Sequence, residues 1–500
     1  MANTFVVSRS HLIYGVCLPL AVLLGYLLSE PRDSGSVAVM ALVLSILSIP
    51  ILMRFHHPLL IFGCNSFVCT YFLPGRPSLW MVMAFVSLFF SVLNRALHQD
   101  LRFFQARAVS QSLLFLGGVV FITAYLTGGI GIAALGGSSY GGRKYIYIFA
   151  AIMLYFAIST PHTKRDKAGL YMALFNLSAL TSLAGYVAAV GGPAFYFLDN
   201  FFPIESAIAE TTATAAPGME GMTRLGELGG ASTLFFFLAA RYGVRGILDV
   251  KKPWRLALVF VALLGSLLSG FRSNLILMLL TFALMFYMEG LFKTRYFMAL
   301  SLTGILAACI ILPNLQSMPL SVQRTLSFLP INIDPVARDS AEASTQWRLN
   351  MWGRVVPDIP KYLLQGKGYA LNPDDLYLVG IAARQGFEEP EAMSMLAGDY
   401  HSGPLSVIIP FGIFGAVGFI WFLVASFLAL RQNYRFGDPS LHLINTFLYA
   451  LFIVRVAGFF FIFGSLHSDL PFFAGLVGMS VSLNGGVSKP AEDAPEGAPE

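Results

Sequence analysis

His401 is the side chain whose type and setting best suit proton transfer. It stands in Gly398-Asp-Tyr-His-Ser-Gly-Pro404, directly after Asp399 and Tyr400. Imidazole titrates near neutrality, so a histidine can take a proton from a hydroxyl group at physiological pH. A lone histidine at a helix boundary is often only a packing residue, but the acidic and phenolic neighbours favour a chemical role. We predict His401 as a catalytic residue, with Asp399 and Tyr400 as substrate-binding neighbours.

Three arginines are candidates for binding a multiply charged anion. They are Arg224, Arg348 and Arg272, the last within the short turn Ser269-Gly-Phe-Arg-Ser273. A guanidinium directs two parallel donors at phosphate oxygens and stays charged, so several of them converging on one pocket suit a diphosphate. The alternative is that they pair with nearby glutamates or extend to the lipid head groups. Arg272 is the strongest candidate because its turn joins two long apolar runs, where a charge is costly and is usually kept for function. We predict Arg272 as a catalytic residue together with His401, and Arg224 and Arg348 as substrate-binding residues.

Other patterns in the chain do not indicate a cofactor or a metal. The run 129–134 imitates a dinucleotide fingerprint but follows no strand. The pair Asp374-Asp375 lacks a third ligand at a recognisable spacing, so we expect no metal and no cofactor. Gly412, Gly415 and Gly418 recur every third residue, which predicts close packing of helices.

The composition places these residues in a membrane protein. Hydrophobic residues make up 56% of the chain and charged residues 12%, whereas about a quarter of the residues in a soluble domain are charged. This excludes soluble enzymes, nucleic-acid-binding modules and disulfide-stapled secreted domains, so we expect a lipid bilayer and no nucleic acid among its partners. The four cysteines lie within apolar runs and indicate no disulfide framework.

Apolar runs of about 17 to 25 residues are long enough to cross a hydrocarbon core of about 30 Å. We predict an all-α polytopic membrane protein with about 12–14 transmembrane helices and one large loop that contains short helices. The run 58–73 is the weakest because Cys64 and Asn65 dilute it. The candidate spans are 11–29, 36–53, 58–73, 78–94, 109–127, 145–160, 168–191, 229–248, 256–270, 274–291, 296–312, 403–430, 441–464 and 469–486.

The spans divide the chain into four predicted parts. They are an N-terminal transmembrane bundle of about 11 spans at 1–312, a long loop at 313–402, C-terminal transmembrane helices at 403–486 and a disordered tail at 487–500. Within the loop, Trp347, Met351 and Val355 recur at helical spacing and predict a helix over 341–355, with a second short helix near 390–396.

The distribution of lysine and arginine predicts the orientation of the chain. Alternate short loops hold 14 and 6 of these residues, and cytoplasmic loops carry the excess. We therefore expect both termini in the cytoplasm and the loop 313–402 on the outer side. Of the eight histidines, only His401 and His467 then lie on the outer side.

The order of the short motifs resembles the O-antigen ligase and polymerase superfamily. These are multispan transferases of the bacterial inner membrane with one large periplasmic loop before the last spans. The resemblance covers roughly residues 220–430. The motifs are, in chain order, Ser269-Gly-Phe-Arg-Ser273, Trp347-Arg348 with Trp352, Gly366-Lys-Gly368, and His401 leading through Leu405 into Phe411-Gly-Ile-Phe-Gly415.

The resemblance implies a metal-independent glycosyltransferase that uses an undecaprenyl-diphosphate-linked glycan as donor. A sugar hydroxyl of a glycan or of the lipid A core attacks at the periplasmic face, and the lipid diphosphate leaves. Arg224 and Arg272 match the family's diphosphate-binding arginines, Arg348 matches the arginine of the loop helix, and His401 matches the histidine that acts on the acceptor hydroxyl. The family usually has asparagine after this histidine, whereas this chain has Ser402.

Two alternatives remain open at this point. Polymerisation of O-antigen or exopolysaccharide repeat units would use the same donor and the same topology as ligation. A flippase for lipid-linked glycans would bind and move the substrate without bond chemistry. Replacing His401 by alanine separates the two classes, because only a transferase needs the proton acceptor.

Overall fold

The structure is a computed structural model that forms two compact units, residues 1–59 and 60–500. The first unit contains α1 (Arg9–Ser29) and most of α2 (Ser34–Gly63), both strongly apolar. The residues that the structure describes are 9–29, 34–71, 73, 75–97, 103, 105–129, 141–203, 226–371, 374, 377, 381 and 391–490.

The second unit carries the remaining helices of the described residues. In chain order they are α3 (Leu79–Leu97), α4 (Arg107–Thr127), α5 (Gly142–Ser159), α6 (Ala168–Leu177), α7 (Ser182–Val190), α8 (Thr233–Ile247), α9 (Pro253–Leu268), α10 (Arg272–Met288), α11 (Arg295–Ile311), α12 (Leu320–Thr325), α13 (Pro335–Val355), α14 (Ile359–Tyr362), α15 (Ala392–Ala397), α16 (Gly403–Phe436), α17 (His442–Phe461) and α18 (Leu466–Asn484).

The architecture is an all-α polytopic membrane protein, as the sequence predicts. Apart from one isolated bridge between Cys69 and Ser78, the described residues contain no β-structure. Three apolar helices, α9, α10 and α11, are shorter than the 18 residues taken as the minimum for a membrane span. The stretches of the described residues that are long and apolar enough to span a membrane are Ile46–Gly63, Leu79–Ala96, Arg107–Thr127, Arg165–Ala188, Gly403–Phe436 and Pro439–Phe461.

The predicted third span, 58–73, is wrong as a separate helix. Its first residues continue α2 to Gly63, and the chain then folds into turns. Asn65 explains the end of the helix, because its side-chain amide donates to the carbonyl oxygen of Phe175 at 2.7 Å. A polar side chain satisfied by another segment in this way stabilises a turn where an apolar run would continue.

The long loop contains the two predicted helices. The first is α13, which begins six residues earlier than predicted at Pro335 and ends at Val355. Asp334 caps it, since its carboxylate accepts from the backbone N–H of Val336 at 2.8 Å, and proline is well suited to the first helical position. The second is α15, close to the predicted 390–396. Of the tail predicted to be disordered, residues 491–500 lie outside the described residues.

Helix α16 follows the loop and is broken within its own sequence. Gly412 has φ 62° and ψ −159°, two residues after Pro410. The loop segment that contains Gly366-Lys-Gly368 satisfies the freed backbone: Lys367 N–H donates to Ile409 O at 2.8 Å and Gly368 N–H to Pro410 O at 3.0 Å. Irregular backbone inside a membrane protein requires such partners. The glycine motif therefore fixes the first half of α16, directly after His401.

The predicted glycine series on α16 has two different roles. Gly418 lies against α4, where an added Cβ would be 3.0 Å from the ring of Phe115, so this position confirms the prediction of close packing. Gly412 instead provides the left-handed conformation at the break, which favours glycine.

The last helices of the chain pack against earlier ones. Helix α18 packs along α5, and α17 packs between α16 and α10.

Candidate functional site

His401 lies in the short connection between α15 and α16. Its backbone φ is +48°, and among the described residues Arg76 is the other non-glycine residue with a positive φ. Holding an L-residue in this region costs roughly 1–2 kcal/mol, so the surrounding structure must impose it. Such strain is characteristic of functional positions.

The imidazole of His401 is half-buried between two aromatic rings. The ring centroid of Trp347 on α13 lies 4.9 Å from that of His401 in a T-shaped arrangement, and the ring centroid of Phe463 lies 5.2 Å away. Burial lowers the pKa of His401 from its usual value of 6.5. The positive charges of Arg348 and Lys144 also lower this pKa, and the carboxylate of Asp399 opposes them. The ring is therefore neutral at pH 7 and able to accept a proton.

The residues before His401 are anchored to two different helices. On one side, the indole N–H of Trp352 donates to the carbonyl oxygen of Tyr400 at 2.8 Å. On the other side, Lys144 Nζ on α5 donates to Asp399 Oδ1 and to the carbonyl oxygen of Ala397, both at 2.6 Å. These bonds fix the backbone on both sides of Asp399 and thereby the position from which the His401 side chain projects.

The side chain of Tyr400 is part of the hydrophobic core beneath the site. It is 3% exposed and belongs to a buried cluster with Met351, Val355, Leu405 and Ile409. Burial raises the pKa of Tyr400, so the phenol stays protonated. The substrate-binding role of Tyr400 stays a prediction. The observed contacts give it a packing role that joins α13 to the start of α16.

Arg272 is the first residue of α10 and lines a cavity of about 800 Å³. Its Nη2 reaches Ala341 O at 3.4 Å and Thr345 Oγ1 at 3.5 Å, both long contacts to α13. Arg338 lines the same cavity, so two guanidinium groups face one space. The volume is in the range of ligand-binding clefts in proteins. Glu342 lines the cavity as well, so two arginines and one glutamate give the lining a net positive charge that favours an anion.

Helix α13 brings the two parts of the candidate site together. Arg272 contacts Ala341 on this helix, whereas His401 contacts Trp347. These two positions are six residues apart, which corresponds to about 9 Å along a helix. Arg348 lies on the same helix, close enough to lower the pKa of His401. Arg272 and His401 therefore contact the same helix, which also carries Arg348.

Arg224 lies outside the described residues, and its predicted place beside Arg272 stays a prediction. Asp375 and residues 130–134 of the glycine-rich run also lie outside them. Within the described part of the chain, no group of three or more histidine, cysteine, aspartate or glutamate residues is placed to hold a metal ion.

Arg324 is a residue of this site that the sequence did not single out. It is 3% exposed on α12, and its Nη1 donates to the carbonyl oxygen of Gly270 in the turn before Arg272. Its Nε donates to Ser340 Oγ on α13 at 3.1 Å. Arg324 therefore ties the Arg272 turn to the helix that also contacts His401. The sequence did not indicate this role, because the burial of Arg324 results from packing against segments far away in the chain.

His467, the second histidine predicted on the outer side, belongs to the same neighbourhood as His401. Its ring lies 6.4 Å from that of Tyr369, and Lys144 Nζ lies 5.5 Å from the Tyr369 ring. Ser465 Oγ is 2.9 Å from His467 Nδ1. Lys144 therefore connects the surroundings of His467 to the Asp399 side chain, two residues before His401.

The comparison with protein families supports the resemblance drawn from the sequence motifs. Residues 256–420 match the family model described as O-antigen ligase. The matched segment begins in α9, contains Arg272, Arg324, Arg348 and His401, and ends within α16. The match confirms the resemblance that the short motifs predict. No curated protein matches the chain.

Proposed function

Residues 256–420 match the family model described as O-antigen ligase. On this basis we propose that the chain transfers an undecaprenyl-diphosphate-linked glycan to a sugar hydroxyl at the periplasmic face of the bacterial inner membrane. The observation that carries the proposal is that Arg272, which lines the cavity, and His401 both contact α13. An anion site and a proton acceptor are the two groups that this reaction requires, and both contact this helix.

The reaction follows from these groups. Neutral His401 takes the proton of the acceptor hydroxyl as its oxygen attacks the anomeric carbon of the donor sugar. The bond between this carbon and the diphosphate oxygen breaks, and the electron pair leaves with the lipid diphosphate. Arg272 neutralises the charge that develops on the leaving group, with Arg338 facing the same cavity. Arg348 keeps His401 neutral before the transfer.

The test is transfer by the purified protein in lipid nanodiscs, with a lipid-linked glycan as donor. His401→Ala is expected to lower turnover by a factor on the order of 10² to 10⁴. His442→Ala is the matched control, because this exposed histidine at the start of α17 contacts Tyr434, which is not part of the site.

The pH dependence adds a sign to this test. A general base acts in its unprotonated form, so turnover falls as pH drops through the pKa of His401. Because burial and Arg348 lower this pKa, the fall is expected below pH 6.5. His401→Ala removes this acidic limb and His442→Ala keeps it. Near-normal transfer by the His401→Ala protein refutes the assignment, and movement of lipid-linked glycan across the bilayer without transfer would favour a flippase.

Ligation and polymerisation differ in the acceptor. Deleting the gene and analysing the lipid A core separately from the glycan chain lengths distinguishes them. If the protein is a ligase, its loss leaves the lipid A core without long chains while lipid-linked glycan accumulates. If it is a polymerase, its loss leaves cores that carry single repeat units.

A further inference from the structure

Lys144 joins a transmembrane helix to the loop that carries the proposed base. It lies in the first turn of α5, and its ammonium group donates to Asp399 Oδ1 and Ala397 O at 2.6 Å each. The Lys144 side chain is 16% exposed and that of Asp399 42%. An ion pair this close to the surface adds little to stability, because solvent screens it. Because Asp399 is two residues before His401, the ion pair can instead fix the position of the His401 side chain.

The backbone at His401 needs the constraint that this pair provides. Gly398 has φ +74° and His401 has φ +48°, so the chain passes through the left-handed region twice within four residues. Lys144 holds the carbonyl oxygen and the side chain on either side of Gly398, and the Trp352 indole holds Tyr400 O. Without the anchor on α5, the connection can relax toward a less strained conformation and turn the imidazole away from α13.

We propose that Lys144 is a positioning residue for the proton transfer, which acts through Asp399 to hold His401 in place and to balance the charge that Asp399 presents to the imidazole. The proposal rests on the proposed role of His401 as the base. It assigns a role to a residue of α5, far from the loop in sequence and outside the segment 256–420.

Among the described residues, three charged groups act electrostatically on the His401 imidazole. They are Arg348 from α13, Lys144 from α5 and Asp399 from the same connection. The remaining ring neighbours, Trp347 and Phe463, carry no charge. Removing the Lys144 charge leaves Asp399 unbalanced and stabilises the imidazolium form, so the pKa of His401 rises. Neutralising Asp399 leaves the two cations and lowers the pKa of His401.

The experiment measures the protonation of His401 without relying on turnover. Diethyl pyrocarbonate modifies the neutral imidazole, and mass spectrometry of the His401 peptide follows this modification as a function of pH in membranes that contain the full-length protein. Lys144→Met is expected to raise the pH of half-maximal modification and Asp399→Asn to lower it, each on the order of half a pH unit for a partly screened charge. Lys144→Arg keeps the charge and should restore the wild-type value.

Arg143→Met is the matched control. Arg143 is the preceding residue of the same helix, and its guanidinium donates to Tyr147 OH at 2.8 Å instead of the loop. This variant should leave the His401 profile unchanged. The double variant Lys144→Met/Asp399→Asn removes both charges together and should return the profile close to that of the wild type, although turnover stays low because the anchor is lost.

Several outcomes would overturn the inference. Shifts of the same sign in Lys144→Met and Asp399→Asn, or no shift in either, would show that the pair is only structural. If Lys144→Met does not reach the membrane, Asp399→Asn alone decides: an unchanged or raised half-modification pH contradicts the proposal. Opposite shifts together with normal transfer by His401→Ala would leave the pair in control of His401 but refute the proposed function.

Discussion

Arg272→Lys tests the proposed diphosphate site most directly. The substitution keeps one positive charge at the start of α10 and removes the planar guanidinium. Within the described part of the chain, the hydrogen-bond contacts of the Arg272 side chain are long, at 3.4 Å to Ala341 O and 3.5 Å to Thr345 Oγ1. Bonds of this length contribute little, so we expect a stability change within about 0.5 kcal/mol.

The effect on transfer should be much larger than the effect on stability. A guanidinium can bind two phosphate oxygens in parallel, whereas an ammonium group at the same place keeps one of these bonds. A hydrogen bond to a charged group contributes about 1.5–3 kcal/mol. Losing one such bond in the transition state lowers kcat/KM for the donor by about 10- to 150-fold.

The assay compares kcat/KM for the lipid-linked donor with the melting temperature of the same preparations. Arg143→Lys is the control, since this arginine contacts Tyr147 and does not line the cavity. It should behave as the wild type in both measurements. A loss below about threefold for Arg272→Lys would refute the bidentate contact. A loss accompanied by a large drop in melting temperature would instead assign Arg272 a structural role.

Two further predictions concern the framework of the site, and a third concerns the orientation of the chain in the membrane. Arg324→Met leaves the Gly270 carbonyl group and the Ser340 hydroxyl group buried without this donor and should cost about 3 kcal/mol, seen as a lower melting temperature, while an unchanged melting temperature would contradict its role as a tie. Gly366→Ala, at φ +79°, places a Cβ against the carbonyl oxygen of Pro410 and should destabilise by more than about 1–2 kcal/mol, whereas Gly353→Ala, in open space on α13, should not destabilise. In a background without the native cysteines, a membrane-impermeant maleimide should label a cysteine at exposed position 350 and not one at exposed position 164; the opposite pattern would invert the proposed orientation.

The sequence determined the type of molecule and the positions of most helices. Apolar runs of membrane-spanning length need only local information, because hydrocarbon requires each segment to satisfy its own backbone. The spacing of Trp347, Met351 and Val355 likewise predicted α13, since one face of a helix can be recognised from its period. The order of short motifs predicted the resemblance to the O-antigen ligase family, whose model matches residues 256–420. The site residues His401 and Arg272 were singled out by their type and by their place between apolar runs.

The tertiary structure decided how these residues meet. The burial of Arg324, the Lys144–Asp399 pair and the attachment of both Arg272 and His401 to α13 join segments far apart in sequence. The break at Gly412 and the left-handed backbone of His401 are also set by partners outside their own helix or turn. Sequence patterns report local conformational preference and hydrophobicity, whereas these features depend on which distant groups pair. For the same reason the prediction of a separate span over 58–73 was wrong. The chain turns at Asn65, whose side chain donates a hydrogen bond to Phe175 O on α6.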